Sequence, residues 1–276
     1  MVMQEMSRIF FILYLYPKIN SMPFTFSHPA IVLPITYLSR RWYSLTGLVI
    51  GSIMPDFEYF LRMRVKSDDS HTLAGVFYFD IPLGIIMCFI FHQVVRNPSI
   101  VNMPAYLNKR FCYVMTFDWP DHFKKTWFTV IVSLLIGTMS HVFWDSFTHE
   151  NAYFVRVISG LQTNIPIFSL NIPLYKLLQH LSSTVGAVVI VIAVNKLPSS
   201  AGAINNQYRY RFWLTTMLIS IAVATLRVLI AHKRVGIGDI VVSYISASML
   251  ALVIVSIAYS HLMQTDRHNG DRKAEV

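Results

Sequence analysis

Residues 127–149 read WFTVIVSLLIGTMSHVFWDSFTH. The apolar part of this stretch is long enough to cross a bilayer, which takes about 20 residues in a helix. His141, Asp145 and His149 stand at its end four residues apart, so on a helix each side chain lies one turn from the next, about 6 Å away. This spacing is typical of ligands for zinc or a similar cation. Ionisable groups at a membrane boundary cost free energy, and a metal site is the best explanation for three of them.

The rest of the chain is also too apolar for an ordinary soluble domain. Of its 276 residues 54% are hydrophobic and 13% are charged, and the mean hydropathy is +0.50. The predicted spans are Leu73–Val95, Trp127–Phe147, Leu181–Leu197, Phe212–Ala231 and Asp239–Met263. Two further apolar pieces, Pro29–Leu38 and Tyr43–Met54, are too short to cross alone and favour a helical hairpin. We therefore predict an all-α, multi-pass transmembrane helical bundle of about five full spans plus an N-terminal helical hairpin.

The chain is predicted to form one domain. It has no repeat of fixed period and no low-complexity stretch, and residues 22–276 are expected to be a single integral membrane domain with the metal site within 28–180. Residues 1–21 lack a small-residue cleavage site after a basic start, so we interpret them as an N-terminal extension and Met22 as a better beginning. The two cysteines, Cys88 and Cys112, are too few for a disulfide framework.

The basic residues suggest membrane topology rather than a nucleic-acid partner. The formal charge is +9, but the lysines and arginines are scattered among the predicted loops and form no long basic run. We expect no binding to nucleic acid. The positive-inside rule favours a cytoplasmic C-terminus, which puts the candidate metal site on the non-cytoplasmic face.

Residues far apart in sequence converge on that face if the hairpin returns the chain to its starting side. The candidate metal ligands are His28, Asp56, His71, His141, Asp145, His149 and His180. Imidazole and carboxylate are strong ligands for borderline cations, and water bound to such an ion reaches a pKa near about 7, which favours hydrolysis. Asp80 lies deeper in its span and is either a support for the site or the maker of a structural hydrogen bond.

Several segments resemble an uncharacterised bacterial family of multi-pass membrane proteins with a domain of unknown function. They are MPFTFSHPA at 22–30, GSIMPDFEYF at 51–60, SHTL at 70–73, residues 140–149 and LQHLSS at 178–183. That family resembles the membrane-bound metal-dependent hydrolases and, more distantly, zinc-dependent phospholipase C. The resemblance implies an integral protein of the bacterial inner (cytoplasmic) membrane.

The resemblance also implies roles for the candidate ligands. Asp56, His71, His141 and Asp145 would form one complete metal site. His28 with Asp145 would begin a second site. His149 with His180 would begin a third, which lacks a ligand because position 184 is Thr where the related fold has Glu. We therefore expect one or two divalent ions, with zinc as the first choice, and Asp56 as the general base or water-orienting carboxylate.

Three functions fit this pattern. The first is a membrane-embedded metal-dependent hydrolase of a phosphoester in a lipid or lipid-linked headgroup, with membrane lipids as partners. The second is a non-catalytic membrane protein with a structural metal or haem site, although haem would not need the carboxylates. The third is an ion or small-solute transporter, which is disfavoured because the later spans contain only Arg227 at depth and Asp239 at an end. The extra ligands beyond four favour an open, catalytic site over a closed structural one.

Overall fold

The computed structural model describes residues 25–167, 170–200, 208–231 and 235–274, with side chains as far as residue 262. Residues 1–21, interpreted above as an extension, lie outside this part of the chain. Within it, five helical segments are long and apolar enough to cross a membrane: Leu73–Asn102, Trp119–Val157, Leu174–Asn195, Arg209–Leu229 and Ile237–Leu262. The predicted all-α multi-pass bundle is confirmed, and the protein is an integral membrane protein.

The helices follow one another with short irregular turns between them. They are α1 (Pro29–Val32), α2 (Leu45–Gly51), α3 (Phe57–Arg62), α4 (Leu73–Gly75), α5 (Ile81–Ile90), α6 (Arg96–Asn102), α7 (Ala105–Phe111), α8 (Trp119–Thr148), α9 (Tyr153–Val157), α10 (Leu174–Asn195), α11 (Arg209–Leu229) and α12 (Ile237–Ala274). The 3₁₀ turns are Thr25–Ser27, Leu33–Tyr37, Arg40–Trp42, Met54–Asp56, Cys112–Val114 and Ser159–Gln162. Two π-helical turns, Val76–Asp80 and Phe91–Val95, join α4, α5 and α6 into one continuous span.

The N-terminal hairpin is built from short pieces. The chain runs from α1 through two 3₁₀ turns to α2, where the side chain of Ser44 caps the helix by accepting a hydrogen bond from the Gly47 amide. After α2 the turn Met54–Asp56 leads directly into α3. Because these helices are too short to cross the membrane, the turn between α2 and α3 stays inside the bundle and carries Asp56 with it.

Two glycines bring α2 and α8 into backbone contact. A Cβ on Gly137 would lie 2.4 Å from the carbonyl oxygen of Leu48, and a Cβ on Gly51 would lie 2.3 Å from that of Leu134. No side chain fits at such distances, so only glycine permits this approach. The contact sets the hairpin against the segment of α8 that leads to His141.

The first span carries a buried carboxylate. Asp80 ends the first π-helical turn, is fully buried, and neither of its oxygens has a hydrogen-bond partner among the described residues. A π turn displaces side chains from regular helical positions and is often found near functional sites. The structural hydrogen bond that was one alternative for Asp80 is therefore not found in this part of the chain.

The second span begins eight residues before the predicted start at Trp127. The side chain of Asp118 caps α8 by accepting a hydrogen bond of 3.0 Å from the Asp121 amide, and Pro120 occupies the first turn. Because the residues of this first turn are polar, the hydropathy pattern placed the start of the helix too late. Thr126, with φ −132° and ψ 24°, marks a kink where the polar start meets the apolar run.

A small β-hairpin that the sequence did not predict connects the second and third spans. Strands β1 (Asn164–Ile167) and β2 (Leu170–Pro173) pair antiparallel, with Asn164 opposite Pro173. The third span, α10, starts immediately after β2. The end of α8 and the start of α10 therefore lie on the same side of the bundle.

The two last helices pack mainly against each other, as expected of a scaffold. The long helix α12 also contacts α3 and the loop that follows it. Its Asp239 Oδ1 accepts a hydrogen bond of 2.9 Å from the Val65 amide, and its Ser243 hydroxyl donates one of 3.0 Å to the Met63 carbonyl. The C-terminal half thus holds the loop that leads to His71.

Candidate metal centre

Four predicted ligands come together at one end of the bundle. Asp56 ends the turn after α2, His71 precedes α4, and His141 and Asp145 lie one turn apart on α8. One ligand atom from each of the four lies within 4.8 Å of all the others. These four residues could hold a metal ion, and they are the set that the sequence resemblance assigned to one complete site.

The distances suit shared coordination better than direct hydrogen bonding. His141 Nε2 lies 3.2 Å from Asp145 Oδ2 and 3.6 Å from Asp56 Oδ1. His71 Nε2 lies 3.8 Å from each of the same two oxygens. Two ligand atoms that each lie about 2.0–2.1 Å from a tetrahedral zinc ion are about 3.3 Å apart. The group therefore has nearly the dimensions of a zinc site.

The tautomer of His141 is fixed by the backbone. Its Nδ1 lies 2.7 Å from the carbonyl oxygen of Ser52, which can only accept a hydrogen bond. Nδ1 therefore carries a proton, and Nε2 is the ring nitrogen that faces the carboxylates. A carbonyl partner on the remote nitrogen is the usual support of a metal-binding histidine.

His71 is oriented by two serine hydroxyls. Ser67 Oγ donates to Glu58 Oε2 at 2.9 Å. Ser70 Oγ donates to the carbonyl oxygen of Pro55 at 2.6 Å. Both hydroxyls also lie against His71 Nδ1, at 3.1 and 3.2 Å. Since each hydroxyl proton is already donated to a group that only accepts, Nδ1 must supply the proton in these contacts. His71, like His141, turns its Nε2 toward the group.

Asp56 is held by a hydroxyl that the sequence analysis did not single out. Thr25 Oγ1 donates to Asp56 Oδ2 at 2.5 Å, which leaves Oδ1 directed at His71 and His141. Burial by itself raises the pKa of Asp56, but the facing His141 outweighs it and holds the pKa below its usual range. The carboxylate is therefore ionised at neutral pH. Thr25 lies three residues before His28, within a segment that carried the family resemblance.

His28 stands next to the group rather than in it. Its ring stacks on that of His141 with 3.9 Å between the centroids, and its Nε2 lies 3.7 Å from Asp145 Oδ1. Burial and the neighbouring His141 lower the pKa of His28 to about 4, so the ring is neutral at pH 7. A second ion shared through Asp145 would need a neutral imidazole as a ligand, and His28 provides one beside Asp145 Oδ1.

His149 does not continue the ladder of ligands. Helix α8 ends at Thr148, and His149 has extended backbone angles. Its Nδ1 lies 3.5 Å from Asp145 Oδ2, while its Nε2 lies 3.2 Å from the side-chain amide nitrogen of Gln179. Because that amide donates, the lone pair of Nε2 is directed to Gln179 and the proton on Nδ1 faces Asp145. In this arrangement His149 supports Asp145.

His180 lies on α10, one position after the residue that reaches the site. The buried Gln179 makes the contact to His149, whereas His180 is half-buried and is not a member of the four-residue group. Adjacent residues on a helix point about 100° apart. The predicted third site, His149 with His180, therefore has Gln179 at the place expected for a histidine.

The charges and unsatisfied atoms of the centre fit a divalent cation. The buried Nε2 atoms of His28 and His141 and both carboxylate oxygens of Asp145 have no hydrogen-bond partner among the described residues. The ion pairs of Asp56 and Asp145 in the described part of the chain join them to histidines alone. Two adjacent buried carboxylates are costly unless cationic partners or a metal ion offset their charge.

The centre is open on one side. Asp56, His141 and Asp145 are buried, whereas the side chains of His71 and His149 are 26% and 32% exposed. Water or a small solute could therefore reach the centre past these two rings. An accessible ligand set is typical of catalytic metal sites, which keep a position for water or substrate.

A buried glutamate fixes the loop that carries His71. The two carboxylate oxygens of Glu58 accept hydrogen bonds of 2.9–3.0 Å from the backbone amides of residues 68–70, and Oε1 also accepts one of 2.8 Å from Arg62 Nε. Burial by itself raises the pKa of Glu58, but these amides and Arg62 hold it well below its usual range. Glu58 lies two residues after Asp56, so a single short segment sets both Asp56 and the loop to His71.

Comparison with known sequences places the chain in a family. Residues 22–257 match the family described as Domain of unknown function (DUF4184). No curated protein and no solved structure matches the chain at a significant level. The match confirms the expected uncharacterised family and does not extend to a hydrolase or a phospholipase. Since it spans most of the chain and includes every candidate ligand, the protein belongs to the DUF4184 family.

Proposed function

We propose that this protein is a membrane-embedded metal-dependent hydrolase that acts on a phosphoester in a lipid or lipid-linked headgroup. The observation that carries the proposal is the group of Asp56, His71, His141 and Asp145, whose ligand atoms lie within 4.8 Å of one another. Both histidines of the group make hydrogen bonds through Nδ1 and turn Nε2 toward its carboxylates, and no lysine or arginine of the described residues pairs with these carboxylates. These features favour a bound divalent ion, with zinc as the first choice.

The residues of the centre would have distinct tasks. His71, His141, Asp145 and Asp56 would hold the first ion, and Asp145 Oδ1 with His28 Nε2 would contribute to a second. A divalent ion bound there supplies Lewis acidity toward a phosphoryl oxygen and acidifies water. Asp56, held at Oδ2 by Thr25, would orient the attacking water and accept its proton.

The position of the centre supports a substrate at the membrane surface. His141 and Asp145 lie toward the end of α8, and the partly exposed His71 and His149 lie at the same end of the bundle. A centre at the end of a membrane-crossing helix would lie near the level of the lipid phosphate groups. The proposal includes the bacterial inner membrane as its location and the non-cytoplasmic face as the side of the centre.

A structural metal site is the second candidate. Four protein ligands are enough to close a tetrahedral zinc site, and closed sites are usually structural. The four ligands come from the hairpin, the loop before α4 and α8, so an ion would also connect three separate segments. The two functions differ in whether metal-loaded protein turns over a phosphoester.

The first test is elemental analysis of detergent-purified protein, comparing the native chain with Asp145→Ala after identical washing without chelators. We expect one or two equivalents of metal in the native protein and loss of metal in the variant. Metal-loaded protein in phosphatidylcholine vesicles would then be assayed for phosphate or headgroup release from phosphatidic acid and from a polyprenyl phosphate. Absence of metal from both samples would overturn the proposal. Bound metal without turnover, together with unfolding on chelation, would establish the structural alternative.

A further inference from the structure

A cavity of about 250 Å³ opens between the N-terminal segment, α8 and α10. It lies outside the four-residue group described above. The residues that line it are Ser27, His28, Ala30 and Ile31 of the N-terminal segment, Trp144 of α8, and Ser182, Ser183, Val185, Gly186 and Val189 of α10. Val185 is 52% exposed, and Ile31, Trp144 and Val189 are exposed to more than a third. Because α10 is a membrane span, these exposed apolar side chains face lipid, and the cavity is open to the bilayer from the side.

The cavity has both polar and apolar lining residues. Polar groups come from Ser27, His28, Ser182 and Ser183, and apolar side chains come from Ile31, Trp144, Val185 and Val189. Ser182 and Val189 are seven residues apart on the helix, which is about 10 Å at 1.5 Å per residue. On α10 the serines precede the valines, so the polar lining residues of this helix lie nearer its start at Leu174.

His28 belongs to both the cavity and the metal centre. Its ring lines the cavity, stacks on His141 and places Nε2 3.7 Å from Asp145 Oδ1. At His28 the cavity is therefore separated from the candidate metal ligands by the thickness of one imidazole ring. A molecule with its hydrocarbon part in the cavity would have its polar part beside the centre.

A glycine keeps the two walls of the cavity together. A Cβ on Gly186 would lie 2.8 Å from the Ser27 carbonyl oxygen and 3.0 Å from Ser27 Cβ. Glycine at this position lets the segment that bears His28 pack directly on α10. This contact therefore sets the distance between the two walls beside Ser27.

We infer that this cavity binds one hydrocarbon chain of a membrane lipid whose phosphorylated headgroup lies at the metal centre. The inference rests on the proposed function and adds to it the substrate class and the direction of approach. The lipid enters sideways from the bilayer between α1 and α10, so its headgroup reaches the centre without leaving the interface. Chain recognition is apolar and belongs to Ile31, Trp144, Val185 and Val189, and headgroup recognition belongs to the centre.

The test uses the full chain, loaded with zinc, in phosphatidylcholine vesicles that contain a small fraction of a photoactivatable lipid. The probe is phosphatidic acid with a diazirine near the end of one acyl chain, and a diacylglycerol with the same chain serves as the matched probe without phosphate. After irradiation, labelled peptides are identified by mass spectrometry. We expect phosphatidic acid to label the peptides that contain Ile31 and Val189.

Two variants on the same helix separate cavity binding from general lipid contact. Val185→Trp fills the cavity, whereas Val188→Trp adds the same bulk at a residue that is equally exposed, at 52%, but does not line it. Val185→Trp should lower the labelling of these peptides about fivefold or more, since losing the burial of little more than one methylene group already has an effect of about this size. Val188→Trp should leave it unchanged, and equal labelling in the two variants would overturn the inference.

The second probe and the metal content distinguish the two proposals. Phosphatidic acid should label the cavity more strongly than diacylglycerol, and chelation should remove the difference. Equal labelling by the two lipids would overturn the inference, because the headgroup would then make no contact with the centre. If elemental analysis finds metal while Val185→Trp does not alter labelling, the metal site stands and the lipid cavity does not. If the protein contains no metal, the proposed function fails, and the inference that depends on it fails too.

Discussion

The Nδ1 atom of His141 donates a hydrogen bond of 2.7 Å to the carbonyl oxygen of Ser52. This bond joins α8 to the end of α2 beside the glycine contact between the same helices. It fixes the ring so that Nε2 faces Asp56 and Asp145. The orientation of the ligand is therefore built into the protein before any ion binds, which lowers the cost of binding one.

Removing His141 should abolish metal retention. His141→Ala deletes a fully buried ligand atom and leaves Asp56 and Asp145 without their nearest imidazole. Mutation of a residue that only supports a metal ligand typically lowers metal affinity by about 10- to 100-fold. Loss of a ligand itself should lower metal affinity by at least as much. Elemental analysis of purified protein, expressed as metal per folded chain, measures the effect.

His92→Ala is the matched control for this experiment. His92 is also buried in a span, but it stacks on Trp119, with 4.5 Å between the centroids, and contacts Thr46 rather than the metal group. We expect this variant to unfold at a lower temperature and to keep its metal. Equal metal content in His141→Ala and His92→Ala would show that the centre does not bind the ion.

Glu58→Gln should lower both the stability of the fold and the affinity for metal. The amide of glutamine replaces one acceptor oxygen by a donor that faces backbone amides or Arg62, so at least one buried hydrogen bond is lost. The expected cost is about 1–3 kcal/mol. Thermal unfolding in detergent, followed by metal analysis at graded chelator concentrations, checks both effects.

The same change separates the two roles of Glu58. If Glu58 acts only through stability, metal affinity should be normal at temperatures well below unfolding. Because residues 68–70 lead directly to His71, we expect affinity to be reduced even there, and wild-type affinity in the variant would contradict this role.

Gly137→Ala should be among the most damaging of small substitutions. The new methyl group would lie 2.4 Å from a backbone oxygen of α2, which no side-chain rotation can relieve. Overpacking of this kind costs about 1–3 kcal/mol or more. Gly160→Ala is the natural comparison, because a Cβ there meets nothing within 4 Å. Similar unfolding temperatures for the two variants would mean that α2 and α8 are not in backbone contact.

The predicted topology is tested by a reporter fused after Val276. The distribution of basic residues favours a cytoplasmic C-terminus, so a reporter that fluoresces only in the cytoplasm should be active there. An enzyme that folds only outside the cytoplasm should be inactive at the same position. The opposite pair of results would reverse the orientation and place the metal centre on the cytoplasmic face.

The hydropathy pattern was sufficient for the spans but not for their ends. Apolar runs identified all five helices, since the membrane requires about 20 apolar residues whatever the tertiary structure. The hydropathy pattern missed the first turns of α8, because Asp121, Lys124 and Lys125 are polar. The helix starts there with Asp118 as its cap and Pro120 in its first turn. The β-hairpin at 164–173 was also missed, because its two strands have only four residues each and each strand contains a proline.

The centre was predictable where its members share a helix or a motif. The spacing of His141 and Asp145 indicated a common direction, and the topology of the hairpin brought Asp56 and His71 to the same face. The supporting residues could not be predicted in this way. The carbonyl of Ser52, the hydroxyl of Thr25 and the amide of Gln179 reach the centre through tertiary contacts that have no signature in sequence spacing.

The hydrogen bonds from α12 to residues 63 and 65 tie the function of the first half of the chain to the last helix. All four ligands of the group precede residue 146, so a ribosome has made them long before it reaches Asp239. Until then the Val65 amide lacks the carboxylate that accepts its hydrogen bond, and the segment leading to His71 lacks its restraint. A chain truncated after α11 would contain every ligand, but the segment that leads to His71 would lack these two hydrogen bonds. The final helix, which is synthesised last, is therefore the element that completes the centre.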